Sequence, residues 1–159
     1  MEKAKLLDSI ITQNVDGLHQ QAGSQKVFEL HGSNAHFTCP VCARQYSYDE
    51  VAAMPLTPRC PHCQQGILRP DIVLYEEGLD MQVVQGAVEA ISNADLLIIG
   101  GTSLVVYPAA SLIFYQKKGG KKVLINLGET TGDAMADLLI HEPLCAVFQE
   151  IADGLGLSL

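Results

Sequence analysis

Short apolar runs alternate with polar and glycine-rich segments along the whole sequence. Several of these runs have the length and the branched side chains of strands that are buried on both faces. We predict strands at 9–12, 27–30, 96–99 and 123–127, and a short extended stretch at 72–75.

Between these runs, apolar residues recur at the spacing of amphipathic helices. One face of the segment 79–93 is apolar at intervals of three and four residues, which predicts a helix. Another helix should begin at Pro108, whose missing N–H is harmless in a first turn, and end before Gly119. Two further helices are expected, a short one within 13–21 and a last one over 146–154.

The alternation of apolar strands with helices predicts parallel βαβ units and an α/β fold. Sheets of this kind bind ligands at the carboxyl ends of their strands. Three polar clusters follow predicted strands, at 13–16, at 100–103 and at Asn126. We therefore expect these clusters to converge in one crevice.

Composition narrows the classes of protein that fit. The chain has 159 residues, of which 48% are apolar, and this suits one domain with at most a small appendage. A net charge of −8 argues against a nucleic-acid partner. The longest apolar run is far too short for a membrane span, and no basic-apolar-small leader opens the chain. We expect a cytoplasmic protein without a membrane partner.

Four of the five cysteines form two C-x2-C pairs, C-P-V-C and C-P-H-C. Two such knuckles complete a tetrahedral site of four sulphurs that suits structural zinc. Two disulfides or a rubredoxin-like iron site are the alternatives. His62, inside the second knuckle, is expected to be a solvated loop residue, and Cys145 a small buried apolar residue. The predicted metal ligands are Cys39, Cys42, Cys60 and Cys63.

The polar clusters suggest ligand chemistry, each with a plainer alternative. The amide-amide-carboxylate group of Gln13, Asn14 and Asp16 suits a small polar ligand, such as an amide. His31 follows a predicted strand, where it could act as a general base or serve a structural role.

The sequence Gly100-Gly101-Thr102-Ser103 follows a predicted buried strand. Its backbone N–H groups and hydroxyls could bind a phosphate, or the segment could be an ordinary strand-to-helix turn. Asn126 could bind a ribose or cap a turn.

The order of these motifs resembles the sirtuin family. The series reads T-Q-N-V-D-G-L-H, H-G-S, the two C-x2-C pairs, R-P-D-I-V-L-Y-E-E, G-T-S-L-x-V-x-P and L-I-N. The resemblance extends from about Ile10 to the end of the chain. It implies a Rossmann-like, doubly wound parallel sheet over 1–35 and 71–159, incomplete here, with an inserted zinc-ribbon module over 36–70.

Sirtuins are NAD-dependent protein-lysine deacylases, which release nicotinamide and move the acyl group from lysine to ADP-ribose. The resemblance therefore implies NAD and Zn²⁺ as cofactors and an acyl-lysine protein or peptide as substrate. His31 matches the family's catalytic general base. The implied NAD-binding residues are Gln13, Asn14, Asp16, Gly101, Thr102, Ser103, Asn126, Leu144 and Cys145.

The family's extended stretch that pairs with the substrate backbone matches the segment from Val73 to Glu77. The family more often has Phe-Gly-Glu where this chain has Tyr75-Glu76-Glu77. The resemblance does not identify the preferred acyl chain. The implied substrate-binding residues are Val73, Leu74, Tyr75 and Glu76.

Two motifs of the family do not occur in these 159 residues: the glycine-rich G-A-G-x-S, which holds the NAD pyrophosphate, and D-F-R-G. We expect the chain alone to have little activity, since it resembles the carboxyl-terminal part of a sirtuin. A separate N-terminal fragment as a partner, a truncated reading frame and self-association are the explanations left open. A non-catalytic, zinc-stabilised fragment that binds a nucleotide or a peptide is the alternative function.

Overall fold

The fold consists of two units, each with its own core. A computed structural model describes residues 1–157. The central unit is Ser9–Val84, and the terminal unit comprises Met1–Asp8 and the chain from Gln85 onward. The division into 1–35 with 71–159 and an inserted module at 36–70 stays a prediction.

In the central unit, two of the predicted strands pair in parallel. β1 (Ile10–Thr12) lies beside β2 (Val27–Glu29), with Ile10 opposite Val27. Helix α1 covers only Leu18–Gln21, so the helix predicted within 13–21 begins late. The reason is local, because Gly17 has a φ of 69° and stops the helix from extending backward.

A three-stranded antiparallel sheet follows in the central unit and was not predicted. It consists of β3 (Gly32–Thr38), β4 (Gln45–Ser47) and β5 (Arg69–Ile72), in the order β4-β3-β5. Helix α2 (Tyr48–Ala52) follows β4 and begins with a reciprocal capping box between Ser47 and Glu50. The core under this sheet contains Tyr46, Val51 and Leu68 together with two of the cysteines.

The terminal unit contains the parallel sheet that the βαβ pattern predicts. Its strands are β6 (Leu96–Gly100), β7 (Lys121–Ile125) and β8 (Leu138–Ile140), paired in the order β6-β7-β8. Helix α3 (Met81–Asn93) crosses the boundary between the units and precedes β6, and α4 (Leu144–Gly154) follows β8. These parallel strands and helices confirm the predicted α/β class.

Two details of the strand prediction were wrong. The predicted strand at 123–127 forms two residues earlier, as β7, so that Asn126 and Leu127 follow the strand. The segment 96–99 is not fully buried: Ile99 is buried, but Leu96 is 51% exposed. Among the described residues β6 pairs only with β7, so its other edge has no strand partner.

The helix predicted to begin at Pro108 is a 3₁₀ helix over Ala109–Tyr115 rather than an α-helix. Pro108 precedes its first turn, and the Pro108 carbonyl accepts hydrogen bonds from both the backbone N–H and the hydroxyl of Ser111. Hydrogen bonds that join residues three positions apart are those of a 3₁₀ helix, which is wound more tightly than an α-helix. Its Ala110 and Ile113 complete the core of the terminal unit with Ile99, Leu104 and Leu124.

Within the part of the chain that the structure describes, no helix has the length and apolar character needed to cross a membrane.

Candidate functional site

The four paired cysteines come together in the central unit. All four sulphur atoms lie within 4.8 Å of one another. Cys39 Sγ is 3.6 Å from Cys63 Sγ, and Cys42 Sγ is 3.7 Å from Cys60 Sγ. Four thiolates bound to one zinc ion at about 2.3 Å in a tetrahedron lie about 3.8 Å apart. The cluster therefore fits zinc, and since all four thiols are free it does not support the disulfide alternative.

Both C-x2-C pairs adopt the same backbone turn. The carbonyl of Cys39 accepts a hydrogen bond of 2.9 Å from Ala43 N, and the carbonyl of Cys60 accepts one of 2.9 Å from Gln64 N. Ala43 and Gln64 both have left-handed backbone angles, with φ of 57° and 58°. The sequence prediction of two matching knuckles is thereby confirmed, and His62 is exposed as expected.

Two neighbours of the cluster received no role in the sequence analysis. The Tyr46 hydroxyl is 3.2 Å from Cys60 Sγ and can donate a hydrogen bond to the thiolate. Burial opposes ionisation of Cys60, but the bonds from Tyr46 and from backbone N–H groups lower the pKa of its thiol to about 6. A Cβ on Gly66 would lie 2.5 Å from Cys39 Sγ, so the cluster requires glycine there. Neither residue has a sequence signal beyond its position near the cysteines.

The ring of His31 is held in one orientation within the central unit. Its Nδ1 lies 3.1 Å from the carbonyl oxygen of Gln13. A carbonyl only accepts hydrogen bonds, so Nδ1 carries the hydrogen in the neutral ring and Nε2 keeps a free lone pair. This is the arrangement that a general base at Nε2 needs.

The segment that contains Gln13, Asn14 and Asp16 lies against the start of β3. Besides the bond from His31 to Gln13, the backbone N–H of Asn34 donates a 2.9 Å hydrogen bond to the Val15 carbonyl. The Asn14 and Asp16 side chains are exposed. Asp16 Oδ1 also accepts a 3.0 Å bond from Leu18 N, which starts α1. Backbone contacts thus place the segment 13–16 beside His31, while the ligand-binding role of its side chains stays a prediction.

The predicted substrate stretch begins beside His31. Val73 N donates a 2.9 Å hydrogen bond to the His31 carbonyl. A cleft of about 400 Å³ opens there, and its lining includes Gly32 and Val73. The Leu74 and Tyr75 side chains are exposed, and substrate binding along this stretch stays a prediction.

Beyond Val73 the chain turns sharply at 74–77. Glu77 N donates to the Leu74 carbonyl at 3.1 Å, and Glu77 Oε2 accepts from Leu74 N at 3.0 Å. Arg69 forms an ion pair with the same carboxylate, which lowers the pKa of Glu77. Glu76 occupies the third position of this turn with a φ of 71°. Glycine is favoured at that position, which gives a physical reason for the family's Phe-Gly-Glu.

Replacing Glu76 with glycine should therefore stabilise the protein. The left-handed conformation costs an L side chain roughly 1 kcal/mol, so Glu76→Gly should raise the free energy of unfolding by about that amount. Urea denaturation measures the change. Glu76→Ala is the matched control, because it removes the carboxylate but keeps the Cβ. If alanine stabilises as much as glycine, the gain comes from charge and not from the backbone angle.

In the terminal unit, the turn after β6 packs closely against the neighbouring segments. Gly101 has a φ of 61°, and its N–H donates to the Ile125 carbonyl at 3.1 Å. A Cβ on Gly100 would lie 2.6 Å from Leu144 Cδ1. The structure therefore brings Leu144 against the Gly100–Gly101 segment, of which Gly101 was predicted, like Leu144, to contact NAD.

Of the two roles expected for Asn126, a turn cap and a ribose contact, the structure shows the turn cap. Its Nδ2 donates to the Gly128 carbonyl at 2.8 Å, which is the turn-capping arrangement. Its own carbonyl is 3.0 Å from His141 Nδ1. A ribose contact by Asn126 stays a prediction, as does the convergence of this cluster with the one at 13–16.

Cys145 is exposed, so the expectation that it is a small buried residue was wrong. The buried residues of α4 are Val147 and Ala152, whereas Cys145 is exposed in the first turn of the helix. Exposure leaves the side chain accessible to a ligand, as the family resemblance implies.

Comparisons with known proteins agree with the motif order. A model of the Sir2 family matches residues 1–108. An NAD-dependent protein deacetylase of Clostridium perfringens is 50% identical over 153 residues, which is 96% of this chain and 62% of that protein. The chain thus spans about three fifths of the length of such curated relatives.

Solved structures are similar over nearly the whole chain. A Sir2 protein crystallised with the inhibitor EX-527, 2'-O-acetyl-ADP-ribose and a deacetylated p53 peptide is 39% identical, with a TM-score of 0.92. The match covers 99% of this chain and 68% of that one. A Sir2 structure bound to acetylated peptide is 37% identical, with a TM-score of 0.91, and its match covers 99% and 67% of the two chains. These matches confirm the predicted fold.

Proposed function

The chain belongs to the Sir2 family, and we propose from this premise that its residues serve an NAD-dependent protein-lysine deacetylase or deacylase. The reaction would move the acyl group from lysine to ADP-ribose and release nicotinamide. The observation that carries the proposal is the environment of His31. One ring nitrogen binds the Gln13 carbonyl, and the His31 carbonyl binds the first residue of the predicted substrate stretch.

In this proposal each group of residues has a separate task. NAD, when bound, supplies the ribose that receives the acyl group as nicotinamide leaves. His31 accepts a proton from a ribose hydroxyl at Nε2, while its Nδ1–H stays on the Gln13 carbonyl. Asn14 and Asp16 orient the nicotinamide amide, and Gly101, Thr102 and Ser103 contact the phosphates and ribose. Asn126, Leu144 and Cys145 contact the adenosine side.

The acyl-lysine peptide would bind along Val73, Leu74, Tyr75 and Glu76 as an added strand. The exposed Leu74 and Tyr75 side chains, and a solved relative that holds an acetylated peptide, support this assignment. Zinc would be held by the four clustered cysteines. Because protein thiolates fill all four positions, its role would be structural, with no site open for a substrate.

The assignment of His31 is tested in the protein expressed at its full natural length. His31→Asn should lower deacetylation of an acetyl-lysine peptide by a factor of about 100 or more, the usual contribution of a general base. NAD affinity, measured by calorimetry, should change by less than a few-fold. Turnover close to that of the unaltered protein would remove His31 from this role.

We further propose that the 159 residues by themselves are weakly active, because they contain no G-A-G-x-S sequence to hold the pyrophosphate. Calorimetry of this chain with NAD separates two possibilities. Measurable binding supports a cofactor site within these residues. An absence of binding favours the non-catalytic, zinc-stabilised fragment. A cytoplasmic location is also proposed, since the free thiols suit a reducing compartment.

A further inference from the structure

Leu104, directly after the Gly100–Ser103 turn, has a backbone conformation that leucine rarely adopts. Its φ is 56°, yet the residue is buried in the core of the terminal unit. Its N–H donates to Thr102 Oγ1 at 3.2 Å, so the conformation of Leu104 is tied to that of the turn. An unfavourable conformation of this kind persists only where the surroundings hold it.

The groups that hold Leu104 come from the segment T-T-G-D at 130–133, to which neither the sequence motifs nor the proposed reaction assigns a task. The Thr131 hydroxyl donates a 3.0 Å hydrogen bond to the Leu104 carbonyl. Gly132 faces the Leu104 side chain, since a Cβ there would lie 2.3 Å from Leu104 Cδ1. One residue thus fixes the backbone of Leu104 and the next accommodates its side chain.

The segment 130–133 is itself internally braced. Asp133 Oδ1 accepts hydrogen bonds from Thr130 N at 3.0 Å and from Thr130 Oγ1 at 2.6 Å. Thr130 Oγ1 in turn accepts a 3.1 Å bond from Gly132 N. These hydrogen bonds within the turn hold the Thr131 hydroxyl and the backbone of Gly132 in fixed positions.

We propose that Thr131 and Gly132 are positioning residues for NAD binding, which act through Leu104 to set the conformation of Gly101, Thr102 and Ser103. This inference rests on the proposed function of that turn. If the backbone N–H groups and hydroxyls of the turn receive the anionic part of NAD, then their alignment depends on a residue whose unfavourable φ is maintained from 130–133. Neither Thr131 nor Gly132 needs to contact NAD.

Steady-state kinetics of the full-length protein test the proposal. Thr131→Val keeps the shape of the side chain but removes the donor, and should raise the KM for NAD about five- to tenfold. The kcat and the KM for the acetyl-lysine peptide should stay within twofold. Thr131→Ser, which keeps the hydroxyl, should restore the KM for NAD. Gly132→Ala should have a larger effect of the same kind.

Gly154→Ala is the control for glycine replacement, because no atom of the described residues lies within 4 Å of a Cβ there. An unchanged KM for NAD in Thr131→Val overturns the positioning role, even if Gly132→Ala does not fold. A fall in kcat or a rise in both KM values overturns it too, because that pattern indicates general structural damage. An unaltered protein that neither binds nor turns over NAD overturns the proposed function, and this inference with it.

Discussion

Replacing Gly32 with alanine is expected to destabilise the central unit by about 2–5 kcal/mol, from backbone strain and overpacking together. Gly32 has a φ of 75°, and a Cβ there would lie 2.1 Å from the Asp71 carbonyl oxygen. That oxygen belongs to the backbone of β5, which pairs with β3 at this point. The clash is relieved only if the two strands separate.

Chemical denaturation followed by circular dichroism measures the loss. Gly23→Ala is the matched control, because Gly23 also has a positive φ, of 93°, but within residues 1–157 no atom lies within 4 Å of a Cβ there. It should cost only the conformational term of about 1 kcal/mol. If the two variants lose the same stability, the close approach of β5 to Gly32 contributes nothing and the prediction fails.

Removing the metal, or one of its ligands, is expected to unfold the segment between the two knuckles. The buried core there consists of only Tyr46, Val51 and Leu68 besides two of the cysteines, with the partly buried Phe37 and Met54 packed against it. Binding of structural zinc contributes roughly 10–16 kcal/mol in small domains of this kind, and the fold depends on it. Cys60→Ser should therefore lose both the metal and the protection of nearby amides from hydrogen exchange.

Plasma emission spectrometry gives the metal content of each variant and distinguishes zinc from iron. Cys145→Ser is the control, since Cys145 is exposed and lies outside the cluster. This control should keep one metal ion per chain and a normal exchange pattern. A Cys60→Ser protein that retains a full equivalent of tightly bound metal would contradict the assignment.

The sequence predicts those features that depend on local pattern. The cysteine knuckles follow from residues a few positions apart, and β1, β2, β6 and β7 arise from short apolar runs. The antiparallel sheet could not be predicted, because β5 contains Arg69, Pro70 and Asp71 and lacks any apolar alternation. Its pairing with β3 joins residues more than 30 positions apart, from Thr38 with Arg69 to Gly32 with Ile72, which no local pattern predicts.

In the candidate site, too, the features that follow from local motifs were predicted, and those that depend on tertiary contacts were not. His31 and the polar group at 13–16 were predicted from their motifs, whereas the bond that orients His31 comes from a backbone carbonyl and has no sequence signal. Likewise, the burial of Leu96 was expected from its apolar run, but burial of a strand side chain depends on what packs against that face of the sheet. The contact of Gly132 with Leu104 joins segments on either side of β7 and is visible only in three dimensions.

The pairing of β3 with β5 joins two sites that do not touch. β3 runs from the residue after His31 to the residue before Cys39, and β5 runs from the residue after Leu68 to the residue before Val73. An irregularity between Ser33 and Phe37 lets β3 pair at both ends with the four residues of β5, which extend about 10 Å. Loss of the metal would let β3 and β5 shift against each other. Such a shift would displace His31 and the predicted substrate stretch at the other end of the pair. Chemical damage to the sulphurs of the cysteine cluster would then disturb the alignment of the predicted substrate stretch, and so inhibit the protein, without any contact with that stretch.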